Sequence, residues 1–138
     1  MAPGLILTFN AGSSTIKLGL YETLADAPRL LARGSIDFRD EPFEIRMKLE
    51  GRSLAQALTA EPDDLIGMLR ESFDWIGGFF DLASLEAIGH RVVHGGDAFS
   101  GPARINAEVL AQIEALAALA PLHQPQSLRL IRAVSALY

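Results

Sequence analysis

At 138 residues, with 49% apolar and 21% charged side chains, the chain is long enough for one hydrophobic core and ordinary in globular composition. Its net charge of -5, with 12 Lys and Arg scattered singly, provides no stripe for a nucleic-acid backbone, and the absence of cysteine excludes disulfides, thiolate metal sites and cysteine nucleophiles. No apolar run approaches the ~20 residues of a membrane helix and no basic flank precedes Leu5 to Phe9, so a cytoplasmic protein with no membrane partner is expected.

In chain order, the apolar run from Leu5 to Asn10 ends in the turn-forming Asn-Ala-Gly-Ser-Ser, after which Ile16, Leu18 and Leu20 alternate with Lys17, Gly19 and Tyr21. This pattern predicts a β-hairpin. A third strand is expected over Arg29 to Phe38, and a fourth, half-solvated one where Phe43, Ile45, Met47 and Leu49 alternate with charged residues. The period then lengthens to that of a helix. Pro62, Asp63 and Asp64 open it, and Leu65, Leu69, Phe73, Ile76 and Phe80 share one face that should pack on the sheet. Ala87 to His94 reads as a buried strand closed by Gly95-Gly96, parallel to a strand of the same sheet because a long helical crossover precedes it. Two helices follow. Asn106 caps the first, with Val109, Ile113, Leu116 and Ala120; Pro125 starts the second, with Leu128, Ile131 and Val134. With no repeat or linker, one α/β domain is expected.

Three segments carry candidate chemistry. The first, Asn10-Ala11-Gly12-Ser13-Ser14-Thr15-Ile16-Lys17, joins a tight turn, three hydroxyls and a following cation. Such a loop can surround a tetrahedral oxyanion with donors, with Lys17 as a point charge and Asn10 as a ligand for phosphate oxygen or hydrated magnesium. It is not a Walker A loop, since a strand follows rather than a helix. A polar hairpin turn with an exposed lysine is the plainer reading of the same residues.

The second segment, Gly89-His90-Arg91-Val92-Val93-His94-Gly95-Gly96, sets an arginine in an apolar strand. Alternation places Arg91 and Val93 on one face, an anion clamp beside an apolar surface that suits a small carboxylate; an internal ion pair is the competing explanation for Arg91. His90 and His94, on the other face, are a conceivable metal pair or buried histidines bonded to backbone. The third segment, Pro121-Leu122-His123-Gln124-Pro125, holds His123 where it can donate to developing negative charge or merely cap a helix.

Together, NAGSSTIK, GHRVVHGG and APLHQP resemble, in order and spacing, signature segments of the acetate kinase family. The resemblance runs over nearly the whole chain. It implies the ribonuclease-H-like lobe shared by actin, sugar kinases and the heat-shock chaperone ATPase, an α/β fold with a mixed sheet and flanking helices. It also implies ATP and magnesium (Mg2+) as cofactors and direct phosphoryl transfer to a small carboxylate.

By position, the resemblance makes Asn10 a magnesium or phosphate ligand, Ser13, Ser14 and Thr15 the phosphate-binding turn, and Lys17 an ATP-phosphate contact. Arg91 becomes the substrate anchor and His123 a holder of the transferring phosphoryl group, with Val93 and Leu122 lining the acyl pocket. Thr15-Ile16 stands where Ser-Leu is more usual in the family, a change that keeps the hydroxyl. Butyrate-type relatives tend to carry Pro at the position of Ala11, so acetate or propionate is expected. The resemblance further makes residues 1–138 an N-terminal lobe without its C-terminal partner, inactive alone, and the full-length parent a homodimer. A non-catalytic phosphate-binding module of the same fold is the alternative, and a histidine-based metal hydrolase a third.

Overall fold

The computed structural model describes residues 4–12, 14–39, 43–61, 63–91, 104–115 and 124–137. Six strands form one mixed sheet: β1 (Leu5–Ala11), β2 (Thr15–Glu22), β3 (Arg29–Asp37), β4 (Glu44–Leu49), β5 (Arg52–Ala57) and β6 (Leu85–Arg91). The spatial order is β5-β4-β3-β2-β1-β6. Successive strands from β1 to β5 pair antiparallel, whereas β6 returns beside β1 and parallel to it, as the long crossover requires.

Each strand of the meander puts alternate residues on opposite faces. In β1 the buried set is Leu5, Leu7, Phe9 and Ala11, and the paired residues Leu20, Leu18 and Ile16 of β2 continue the same apolar surface. Ala32, Ile36, Ile45 and Met47 extend it across β3 and β4. Helix α1 (Leu65–Ile76) covers this surface with Met68, Leu69, Phe73 and Ile76, and the rings of Phe9 and Phe73 meet edge to face at 6.1 Å. Helix α3 (Gln124–Leu137) adds Leu130, Ala133 and Val134 to the same core, while α2 (Ala107–Ala115) buries Ile113.

Local signals explain the helix ends. Asp64 caps α1 by accepting a hydrogen bond from the Gly67 N–H at 2.9 Å, and Asn106 accepts one from the Val109 N–H at 2.8 Å at the start of α2. Helix α1 stops at Ile76, not at Phe80: Gly77 and Gly78 follow, and the Gly77 N–H closes the last turn on the Phe73 carbonyl. Ser72, fully buried on α1, satisfies its hydroxyl on the Met68 carbonyl at 2.8 Å.

Two strand expectations change. Strand β5 was not anticipated; it pairs with β4 through a turn at Glu50 and Gly51, whose φ values of 51° and 77° are those of a type I′ hairpin. The expected buried strand from Ala87 to His94 is instead β6 over Leu85–Arg91, with exposed and half-buried positions, because it forms the sheet edge among the described residues; 92–94 lie outside them.

Candidate functional site

Residues directly opposed in neighbouring strands project from the same face of a sheet. Asn10 is opposed by Lys17 on β2 and by Arg91 on β6. The three therefore form one row across β6, β1 and β2, on the face opposite Phe9 and the helices. At about 4.8 Å per strand, Lys17 and Arg91 stand about 10 Å apart at Cα with the Asn10 amide between them, well within the reach of two long side chains. Lys17 and Arg91 are exposed and Asn10 is half-buried.

The hairpin tip lies at the same end of the sheet. Its closing bond runs from the Gly12 N–H to the Thr15 carbonyl at 2.7 Å, so this amide is spent within the turn rather than offered to a ligand. Gly12 eases the close turn: a Cβ there would press on Thr15 Oγ1 at 3.2 Å. The Phe38 N–H donates to the Ser14 carbonyl at 2.9 Å and ties the tip to the end of β3. Thr15 lies two residues from Lys17 and hence on the same face. Its Cα partner is Asp37, whose carboxyl is drawn down to about 2 by hydrogen bonds from Arg39, at 3.0 Å from Nε and 2.7 Å from the guanidinium terminus. Asp37 and Arg39 were not singled out in the sequence; only the β2–β3 register brings them beside the tip.

Arg91 corrects one argument. Its guanidinium was expected to be buried and hence in need of a partner, yet it is exposed, because among the described residues β6 is the edge strand and no helix lies on this face. Among the described residues no acid pairs with it. His90 points the other way, stacked on Phe9 with centroids 5.4 Å apart, and its buried Nδ1 has no hydrogen-bond partner. Burial pushes its pKa down to about 4. The backbone bond expected for a buried histidine is therefore missing at Nδ1.

Ser13, Val93, His94, Leu122 and His123 lie outside the described residues. Ala11 is buried on the core face, 6% exposed, so its side chain does not join the row made by Asn10. Among the described residues no group of three or more His, Cys, Asp or Glu gathers as a metal site. A magnesium ion at the row would take one neutral oxygen from Asn10 and the rest from water and phosphate, which suits an ion that keeps several waters.

A family model for the acetokinase family matches residues 5–138. The chain belongs to that family. It is 38% identical over 140 residues to acetate kinase of Rhodopseudomonas palustris strain TIE-1, covering 97% of this chain and 34% of the relative. It is also 38% identical to acetate kinase of Geobacillus kaustophilus, covering 93% and 32%. Among solved structures, a propionate kinase from Francisella tularensis superposes with a TM-score of 0.84 at 32% identity, and Porphyromonas gingivalis acetate kinase with 0.80 at 27%; each match covers 97% of this chain and 34% of the other. The chain thus spans about a third of the length of the acetokinases it matches, and its six-stranded mixed sheet with helices is the fold of that stretch. Among the described residues no helix is long and apolar enough to cross a membrane.

Proposed function

We propose that this chain supplies one lobe of a short-chain acyl kinase, which transfers the γ-phosphoryl group of ATP to acetate or a close homologue. One observation carries the reading: the row Arg91, Asn10, Lys17 offers two cations and an amide on one sheet face, beside the Ser14-Thr15 tip. In the reaction, a carboxylate oxygen forms a bond to the γ-phosphorus as its bond to the ADP oxygen breaks, giving an acyl phosphate and ADP. Most of the catalytic effect in such a transfer comes from positioning and from offsetting charge on the equatorial oxygens.

In this assignment Lys17 and the hydroxyls of Ser13, Ser14 and Thr15 hold the nucleotide's phosphates. Asn10 faces the phosphate oxygens or a hydrated magnesium ion, which neutralises phosphate charge when bound. Arg91 anchors the carboxylate and lies close enough to the row's centre to share the developing charge. His123, Val93 and Leu122 take their roles from their place in the family's motifs, the first donating to the transferring group and the others lining the acyl pocket. The propionate kinase among the structural neighbours supports a pocket for two or three carbons without choosing between acetate and propionate.

The test is Arg91→Ala in a polypeptide of full family length, assayed by hydroxylamine trapping of the acyl phosphate. An anchor that touches both ground and transition state predicts a raised KM for the carboxylate together with a lower kcat, and a kcat/KM loss of about 10²-fold or more. Unchanged kinetics would reject the assignment. A non-catalytic module of the same fold would instead bind phosphate, acetyl phosphate and ATP alike without magnesium and form no acyl phosphate at full length.

A further inference from the structure

The row that contains Asn10 continues beyond Lys17. Lys17 is opposed by Ser35 on β3, and Ser35 by Arg46 on β4. One register step away, Gly19 is opposed by Arg33, Arg33 by Lys48, and Lys48 by Ser53 on β5. All of these share the face away from the helices. All but Gly19 border a groove of about 540 Å³ in which Lys17, Arg33, Arg46 and Lys48 stand around the hydroxyls of Ser35 and Ser53.

The charge balance of this face is unusual for a chain of net charge -5. Its acids among the described residues, Asp37 and Glu44, are engaged with Arg39 at 2.7 Å and with Arg46 at 2.8 Å. Among the described residues no ion pair includes Lys17, Arg33 or Lys48, and all three are exposed. Arg33 and Lys48 are direct cross-strand partners, an arrangement of like charges that costs stability. Glycine at 19 makes room for the Thr8 hydroxyl and the Tyr21 ring, which stand 2.8 and 2.9 Å from where its Cβ would be.

We propose that this groove binds a small free oligophosphate, through Lys17, Arg33 and Lys48 as charges and Ser35 and Ser53 as donors. The inference goes beyond the kinase reading and does not need it, because Arg33, Lys48 and Ser53 have no part in the row at β1 and β6. Two cations one strand apart, and a third on the diagonal, match the spacing of successive phosphate groups better than a single carboxylate. The net negative charge of the chain disfavours a long polyanion, whereas a short one feels chiefly the local cluster. Among the described residues no aromatic side chain lines the groove, so a nucleoside would gain no stacking from them there.

The experiment is an amide-resolved NMR titration of the 138-residue chain with tripolyphosphate, and separately with ATP without magnesium. Saturable shifts at 33, 46, 48 and 53 are expected, weakening with salt, with tripolyphosphate bound at least as tightly as ATP. The variant Arg33→Gln/Lys48→Gln should lose about tenfold in tripolyphosphate affinity, with an unchanged or raised Tm. Shifts confined to 10–17, tighter groove binding of ATP than of tripolyphosphate, or unaltered affinity in the double variant would each overturn the proposal. Should the double variant fail to fold, Lys48→Gln alone must weaken binding severalfold, or the proposal fails. Magnesium-ATP shifts at 10–15 and 91, positions outside the groove, read in the same spectra, report on the kinase row independently.

Discussion

His90 and Arg91 are neighbours in the chain and project to opposite faces of the sheet. The pleat sends Arg91 to the open row with Asn10 and Lys17, while His90 lies against Phe9 with Nδ1 buried and unbonded. A neutral imidazole tolerates that position better than a charged one, hence the pKa of about 4 against 6.5 in the unfolded chain. The sign of the consequence follows from linkage. As pH falls through 6.5 the unfolded chain takes up a proton that the folded chain refuses until about 4, so stability is complete above 6.5 and is lost across that window. His90→Phe keeps the stacking and removes the orphaned nitrogen. Chemical denaturation at several pH values should find the variant as stable as the parent at pH 7 or more so, with a flatter fall between 6.5 and 4. His94 and His123 are common to both proteins, so the difference between the two curves isolates His90. Equal slopes would show that His90 is charged or solvated in the folded state.

At the scale of elements, the hairpins are set by different means. The β1–β2 turn closes on Thr15 and leans on Phe38, whereas the β4–β5 turn depends on backbone conformation alone: Gly51 has φ of 77° and nothing within 4 Å of where its Cβ would be. Gly51→Ala should therefore cost about 1 kcal/mol through left-handed strain only, measured by urea denaturation, and leave the core unchanged. Asp64→Ala removes the cap of α1 and should cost about the same, ~1 kcal/mol. A larger loss at Gly51 than at a core truncation such as Phe73→Ala, where ~3 kcal/mol or more is expected, would mean that the turn governs the fold more than the packing does.

For the molecule as a whole, one apolar layer between the sheet and α1 and α3 holds Leu7, Phe9, Ile36, Ile45, Met68, Leu69 and Leu130 together. With strands and helices sharing a single core, unfolding should be cooperative. Trp75, the only tryptophan of the chain, sits on α1 and should report the same midpoint by fluorescence as far-UV circular dichroism reports for the sheet; separated midpoints would show that α1 detaches first. The opposite face of the sheet carries the polar row and the basic groove, with no helix of the described residues over them. On the proposed reading the row offsets only part of the charge that spreads during phosphoryl transfer, so the 138-residue polypeptide should bind phosphates yet form no acyl phosphate in hydroxylamine trapping. Turnover by this polypeptide, with contaminating kinase excluded, would show that the row is sufficient.

Residue order alone determined the features whose cause is local. The alternation of Phe43 to Leu49, the helix start at Asp64, the cap at Asn106, the β1–β2 hairpin and the three signature segments all follow from neighbours within a few positions. Strand β5 was missed because Glu-Gly is a weak turn signal and Arg52 to Ala57, exposed on the edge, has little apolar alternation to display. Tertiary structure decided that Arg91 stands beside Asn10, some eighty residues earlier in the chain, that it is exposed rather than buried, and that Arg33 and Lys48 join Lys17 along one groove. Those facts depend on which strands pair, in what register and which face the helices cover, and such choices are made by burial of the shared core rather than by any local preference of the residues that end up on the open side.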